Sequence, residues 1–162
     1  MKTIIIGFSS STKKFAPFCT AIKMWDGTEY SHVYFQFKSD KYDVDMIYQA
    51  SSTMLNYMSK DVFLQHNEII HEFKLEVTEE QYFKIMQNCM KSAGLEYGVK
   101  EIFGIFIADI LNLDKNIFAD PERYVCSEWV AEQLETLDYK FSKSLDLIKP
   151  KDVYKVLQDG KN

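Results

Sequence analysis

Few side chains in this chain of 162 residues could act as nucleophile or base: three cysteines, Cys19, Cys89 and Cys126, and three histidines, His32, His66 and His71. Cys126 has the most suggestive setting. In Tyr124-Val125-Cys126-Ser127-Glu128-Trp129-Val130 it stands where a polar approach, residues 116–123, meets the helical spacing of Val130, Leu134 and Leu137. A thiol at a helix start meets unpaired backbone N–H groups and the positive end of the helix dipole, which favour S⁻ and can also receive an oxyanion. The ordinary alternative is a small buried hydrophobe, the usual role of a free cysteine. A cysteine nucleophile also needs a base, and the base needs a polar group on its second ring nitrogen.

The histidines differ in setting. His71 shares a strand face with Phe73 and Leu75, which suits a core or edge role, and His66 lies in a loop-like stretch. His32 sits in an alternating segment, residues 30–37. Val33, Phe35 and Phe37 share one face there, and His32, Tyr34 and Gln36 share the less apolar other. Residues 46–50 form a second strand, its expected antiparallel hairpin partner, which carries Gln49. With a loop of this length His32 faces either Gln49 or Ala50, and a one-residue slip changes the face. Gln49 alone reads equally as an ordinary edge-strand glutamine. Glu128, two residues beyond Cys126, points to a different side of the helix and suits its N-terminal dipole. The backbone N–H of Cys126 is the expected oxyanion donor. Asp120-Pro121 offers an earlier helix start, which would place Cys126 one turn inside. Cys19 and Cys89 fall on apolar helical stripes and read as core. No Cys or His pair has metal-ligand spacing, so no metal or cofactor is expected.

These residues need a scaffold, and the pattern supplies one. Residues 3–8 read as a buried strand, followed by a serine turn or cap at residues 9–12. A helix carries Phe15, Phe18, Cys19, Ile22 and Trp25, with Pro17 in its first turn, and Asp26-Gly27 ends it. After the two strands and the polar loop between them (residues 38–45), residues 51–67 read as irregular. Residues 70–77 alternate as a further strand. Thr78-Glu79-Glu80-Gln81 is a capping box for the next helix, which Gly94 can close. A helix after Gly98 has Val99, Ile102, Phe103, Phe106, Ile110 and Leu113 as its expected stripe. The Cys126 helix, a connector and a last helix after Pro150 complete the chain, whose end at residues 159–162 should fray. This order suits a single α+β domain over residues 1–162, with a small antiparallel sheet packed against helices.

Bulk properties narrow the class. The chain is 46% hydrophobic, 15% aromatic and 27% charged, which is a globular composition. A net charge of −5 without a run of basic residues argues against nucleic-acid or anionic-membrane partners. Three irregularly spaced cysteines make no disulfide framework and fit a reducing, cytoplasmic location. The N-terminal apolar run is too short for a signal-peptide core. The longest apolar segment, residues 102–113, falls short of the roughly 20 residues of a membrane span.

Tyr30-Ser31-His32-Val33, the strand ending in Tyr48-Gln49-Ala50, and the Cys126-Ser127-Glu128 segment together resemble the circularly permuted papain-like (permuted NlpC-type) cysteine amidases of the YaeF/YiiX group. In that group the histidine strand precedes the cysteine helix, the reverse of ordinary papain-like enzymes. Ala21-Ile22-Lys23, Thr28, Tyr97-Gly98 and Pro150-Lys151-Asp152 fall where such proteins carry similar features. The resemblance spans residues 12–157, although only the His and Cys motifs are specific. It implies a permuted papain-like fold with Cys126 as nucleophile, His32 as general base and Gln49 as the third, orienting member, a place often held by glutamate. A neutral amide can orient an imidazole but cannot stabilise an imidazolium as a carboxylate would. The implied activity is a cysteine hydrolase, an amidase or peptidase working through an acyl-enzyme on a peptide-like or acyl-containing substrate. Two alternatives are a lipid acyltransferase or thioesterase of the same fold, like the lecithin retinol acyltransferase group, and a catalytically inactive binding domain.

Overall fold

A computed structural model describes residues 1–13, 16–39, 43–51 and 53–160. Phe15, residues 40–42 of the expected loop between the first hairpin strands, and Lys161 and Asn162 lie outside these residues. The elements run β1 (Lys2–Ser11), α1 (Pro17–Asp26), β2 (His32–Ser39), β3 (Val44–Ala50), β4 (Leu55–Ser59), α2 (Lys60–Leu64), β5 (Asn67–Val77), α3 (Glu79–Ser92), β6 (Glu96–Tyr97), α4 (Val99–Leu111), β7 (Arg123–Tyr124), α5 (Cys126–Glu135) and α6 (Pro150–Asp159). Five strands form an antiparallel sheet in the order β4-β3-β2-β1-β5, and β6 pairs with β7 in parallel. The molecule is α+β, as the pattern predicts.

The two faces of the large sheet are covered unequally. Ile4, Ile6, Phe8, Val33, Phe35, Phe37, Tyr48 and Ala50 point to one face, where Ile85 and Cys89 of α3, Trp129, Val130 and Leu134 of α5, and Val153 and Leu157 of α6 close the main core. The Trp129 ring is its hub, 5.5 Å from Phe35 and 4.8 Å from Tyr48. Each fully buried side chain of the size of Phe35 contributes roughly 1.5–3 kcal/mol. The opposite face has one short helix, α2, whose Phe63 packs on Tyr34 and Ile47 with Met58 and Ile69 beside them. Ser59 caps α2 by accepting the Val62 N–H at 3.4 Å. The Tyr34 ring lies over Gly7, where an added Cβ would fall 2.1 Å from its Cζ, so only glycine admits the ring. Both faces of β2 are thus buried, including the Tyr34 and Gln36 side expected to be partly polar.

Three other expectations are corrected. Ser9, Ser10 and Ser11 continue β1 instead of turning, because a register shift after Phe8 lets them pair with Ile69, Glu68 and Asn67. Residues 51–67 are not irregular: they hold β4, which aligns Gln49 with Asn56, and α2. In α4 the buried face is Glu101, Ile102, Gly104, Ile105 and Ala108, while Val99, Phe103, Ile110 and the following Leu113 are exposed. The helix is apolar on nearly every side, so periodicity could not select its face. A polar contact selects it. Asn116, itself buried, donates through Nδ2 to the Glu101 carbonyl at 2.8 Å and to the Asp146 carbonyl at 3.2 Å. Gly104 gives it room, since a Cβ there would fall 1.7 Å from Asn116 Oδ1.

The end signals of α1 and α3 hold, although the expected stripe of α1 is not buried: Phe18 and Trp25 are exposed. Pro17 opens α1 and Gly27 closes it in the left-handed region at φ 65°. Thr78 and Gln81 form the reciprocal capping box of α3, at 3.1 and 3.0 Å. Residues 68–76 place Glu68, Glu72 and Glu76 along β5, the outer strand of the sheet, with Lys74 among them.

Candidate active site

Cys126 is the first residue of α5. Its helix starts there and not at Pro121: Asp120 Oδ1 accepts the Glu122 N–H at 3.0 Å in a local turn, and β7 intervenes before Val125 caps the helix without a side-chain partner. The parallel pair fixes this start, because the Gly98 N–H donates to the Tyr124 carbonyl at 3.0 Å and anchors α4 and α5 at one place. Ser127 fastens it from the other side by donating its hydroxyl to the Ile148 carbonyl at 2.6 Å.

The sulfur is buried. Burial pushes the Cys126 thiol up to about 11, against the pull of backbone N–H groups of Val33, Ser127 and Cys126 itself. The Val33 N–H matters most for the geometry, since it brings the thiol to the residue next to His32 on β2.

His32 projects toward the opposite, thinly covered face. Its ring lies 6.5 Å from Phe63 in a stacked arrangement, and its Nε2 is 2.7 Å from Gln49 Oε1. An amide oxygen only accepts, so Nε2 carries the proton and Nδ1 is left as an acceptor. Burial lowers the His32 pKa to about 4, although the Gln49 bond favours the charged form. The register is neither of the two expected. Phe35 pairs with Tyr48, which puts Gln49 on the His32 face but diagonal to it, beyond the end of the β2–β3 ladder. Met58 of β4 holds the amide from behind, accepting from Gln49 Nε2 at 3.4 Å.

The structure therefore joins His32 to Gln49 and brings the Cys126 thiol to the backbone N–H of the neighbouring Val33. No hydrogen bond links Cys126 to His32 among the described residues. Two spaces meet there. A cavity of about 40 Å³ reaches Cys126 and is walled by Ile22, Trp25, Ile102, Ile105, Phe106 and Val125. A larger groove of about 450 Å³ reaches His32 and Gln49, with Lys13, His66 and Asn67 along its side. Ile22, Ser31, Tyr97 and Ile102 line both.

At the far end of the cavity Lys149 stands 3.2 Å from Asp26 Oδ1 and 2.6 Å from Asp109 Oδ2, joining α1, α4 and the start of α6. Burial raises the Asp26 pKa against the opposing pull of Lys149. Burial acts likewise on Asp109, but hydrogen bonds from Lys149 and Trp25 outweigh it and hold that carboxyl below its usual value.

Three features of the site differ from the sequence reading or lie outside it. Cys19 is half-buried and lines the His32 groove; it is not core. Cys89 is core, as expected. Glu128 is more than a dipole partner. Burial raises its pKa to about 8, opposed by the Val125 N–H and reinforced by the Asp146, Glu132 and Glu101 carboxylates. Ser31 is 3% exposed, and its hydroxyl has no hydrogen-bond partner among the described residues. Its place before His32 was visible in the sequence, but its lack of a partner depends on three-dimensional neighbours. His71 packs on Tyr30 and Tyr154 at the outer strand, away from this site. No group of residues suited to hold a metal is found among the described residues, and none of their helices is long and apolar enough to cross a membrane.

Comparison with protein-family models and with curated proteins finds no match to this chain.

Proposed function

We propose that the protein is a cysteine hydrolase of the permuted papain-like kind, acting on an amide or ester carbonyl. The observation that carries this reading is the meeting of a thiol at the first turn of α5 with the Val33 N–H, beside an imidazole whose Nε2 is held by Gln49 at 2.7 Å. With the proton on Nε2, Nδ1 of His32 is the atom that can take the thiol proton. At neutral pH the thiol and the imidazole are both uncharged, one at about 11 and the other at about 4. The proton therefore moves as the sulfur attacks, and no ion pair is formed beforehand. The Sγ–C bond forms, the proton passes through His32 to the leaving amine or alcohol as its bond to carbon breaks, and water then cleaves the thioester. The reaction requires Cys126 and His32 to come into contact in the substrate complex. Backbone N–H groups at the start of α5 supply the oxyanion contacts.

Alkylation of the native protein with iodoacetamide, with the modified sites mapped by mass spectrometry, tests this. Cys126 should react at least tenfold faster than Cys89, its rate should rise with pH toward about 11, and His32→Ala should slow it. Equal labelling of Cys126 and Cys89, or indifference to His32→Ala, would refute the activated-thiol reading. A second reading, hydrolysis or transfer of acyl groups from lipids, draws on the exposed Phe103, Ile110 and Leu111 of α4. Partitioning onto phosphatidylcholine vesicles is its expected mark.

A further inference from the structure

The two spaces that meet between Cys126 and His32 differ in size and in chemistry, and a substrate whose carbonyl reaches the thiol must put one part in each. The cavity at Cys126 is small and its walls are hydrocarbon. Of the polar residues around it, Lys149 meets Asp26 Oδ1 at 3.2 Å and Ser127 bonds the Ile148 carbonyl, while Asp26 Oδ2 has no hydrogen-bond partner among the described residues. A cavity of roughly 150 Å³ takes the six carbons of a benzene ring, so about 40 Å³ takes a group of one or two carbons. The groove at His32 is more than tenfold larger and has Lys13, His66 and Asn67 along it. Between them the Ser31 hydroxyl, buried and without a partner, is a donor that any polar atom at the junction would satisfy.

We infer that the Cys126 cavity is a size-limited subsite for a short apolar group attached to the reacting carbonyl, and that the groove, with Phe18, Val62 and Phe63 beside its polar residues, receives the larger remainder of the substrate. This rests on the reading of Cys126 as the attacking atom. The substrate class is an acyl compound with a glycine-like or alanine-like group beside the carbonyl; long-chain acyl groups are excluded by volume. Ile105 forms the floor of the limit, because it is buried on the inward face of α4 and lines the cavity. Ile22 of α1 forms the wall between the two spaces.

Alkyl methanethiosulfonates probe the subsite without needing turnover. The Cys126 sulfur bonds to the reagent's sulfenyl sulfur, methanesulfinate leaves with the bonding electrons, and the alkyl group is left beside Sγ where the cavity must hold it. The methyl, ethyl and octyl reagents are compared at Cys126 by mass spectrometry, each normalised to its rate with free cysteine. Methyl and ethyl transfer should be at least tenfold faster than octyl transfer, and Ile105→Ala should narrow that gap severalfold. Ile22→Ala gives the same reading should Ile105→Ala fail to fold. Equal normalised rates for all three reagents, faster octyl transfer, no labelling of Cys126 by any of them, or a gap untouched by both variants would overturn the inference. Size selectivity that persists when His32→Ala leaves labelling unchanged would keep the subsite and refute the catalytic reading. Labelling that depends on His32 but ignores size would do the reverse.

Discussion

The two faces of the sheet invite comparison, because each delivers one half of the site. The face under α3, α5 and α6 is thick, aromatic and dry, and it holds Cys126 at the end of a helix packed through Trp129. The face under α2 is thin, and it holds His32 between Phe63 and Gln49 near an open groove. One residue of β2, Val33, reaches from its backbone N–H to the thiol while its neighbour carries the imidazole. The lesson is one of division. The thick face fixes where the sulfur stands, and the thin face sets the protonation and orientation of the base.

The largest expected effect tests the thick face. Trp129→Ala should cost about 4 kcal/mol, from lost burial and an unfilled cavity between Phe35 and Tyr48. Phe63→Ala, removing a fully buried ring from the thin face, should cost about 3 kcal/mol, because a single short helix can settle into the gap. Guanidinium unfolding measures both, and a larger loss from Phe63→Ala would reverse the ranking of the faces.

Next comes the close approach at the centre of the thin face. Gly7→Ala should destabilise by about 2 kcal/mol, since the new methyl would fall inside the Tyr34 ring. Combined with Tyr34→Leu it should cost clearly less than the sum of the two single changes, a non-additivity read from the same unfolding curves.

The third prediction concerns charge. An imidazole that ionises near 4 in the fold and near 6.5 in the unfolded chain is protonated first in the unfolded chain as pH falls. The stability it contributes is complete above 6.5 and drains away between 6.5 and about 4. Gln49→Glu places a carboxylate against Nε2 and should raise the His32 pKa by at least one unit, with the acid-side loss of stability shrinking accordingly. NMR titration of the His32 ring measures this directly. An unmoved pKa would mean that the thin face does not control the base through residue 49. The smallest effect lies on the rim of the thick face: Thr78→Ala should cost about 1 kcal/mol by removing the cap of α3, seen as a modest fall in Tm and no change at Cys126 or His32.

Much of this division was readable beforehand, for identifiable reasons. Thr78 with Gln81, Pro17 with Gly27, and the alternation through Val33, Phe35 and Phe37 are local signals whose cause lies within a few residues of each other. Cys126 at a helix start and His32 on a strand were legible for the same reason, and so was Gln49 as a neighbouring strand residue. The diagonal relation of His32 to Gln49 was not, because it depends on the register of β2 and β3. The inward face of α4 was hidden as well. Its apolar residues lie all round the helix, and the choice among them is made by Asn116, which is distant in sequence from the Gly104 it presses against. Residues 51–67 lacked a clear period because β4 and α2 are each only five residues long. Cys19 looked like core because its helical spacing is apolar, yet α1 turns it toward the groove.

The outer strand β5 carries a consequence for how copies of this protein meet. An eleven-residue strand with a free side is a template on which a second chain could add. If two copies paired antiparallel about Glu72, that carboxylate would face its own copy at the centre of the seam, and the irregularity at Ile70 would throw the two strands out of register toward Glu68. Charge spacing on this strand thus acts against self-assembly. The barrier is ionic, so acid or high salt lowers it and neutral, dilute solution keeps the edges apart.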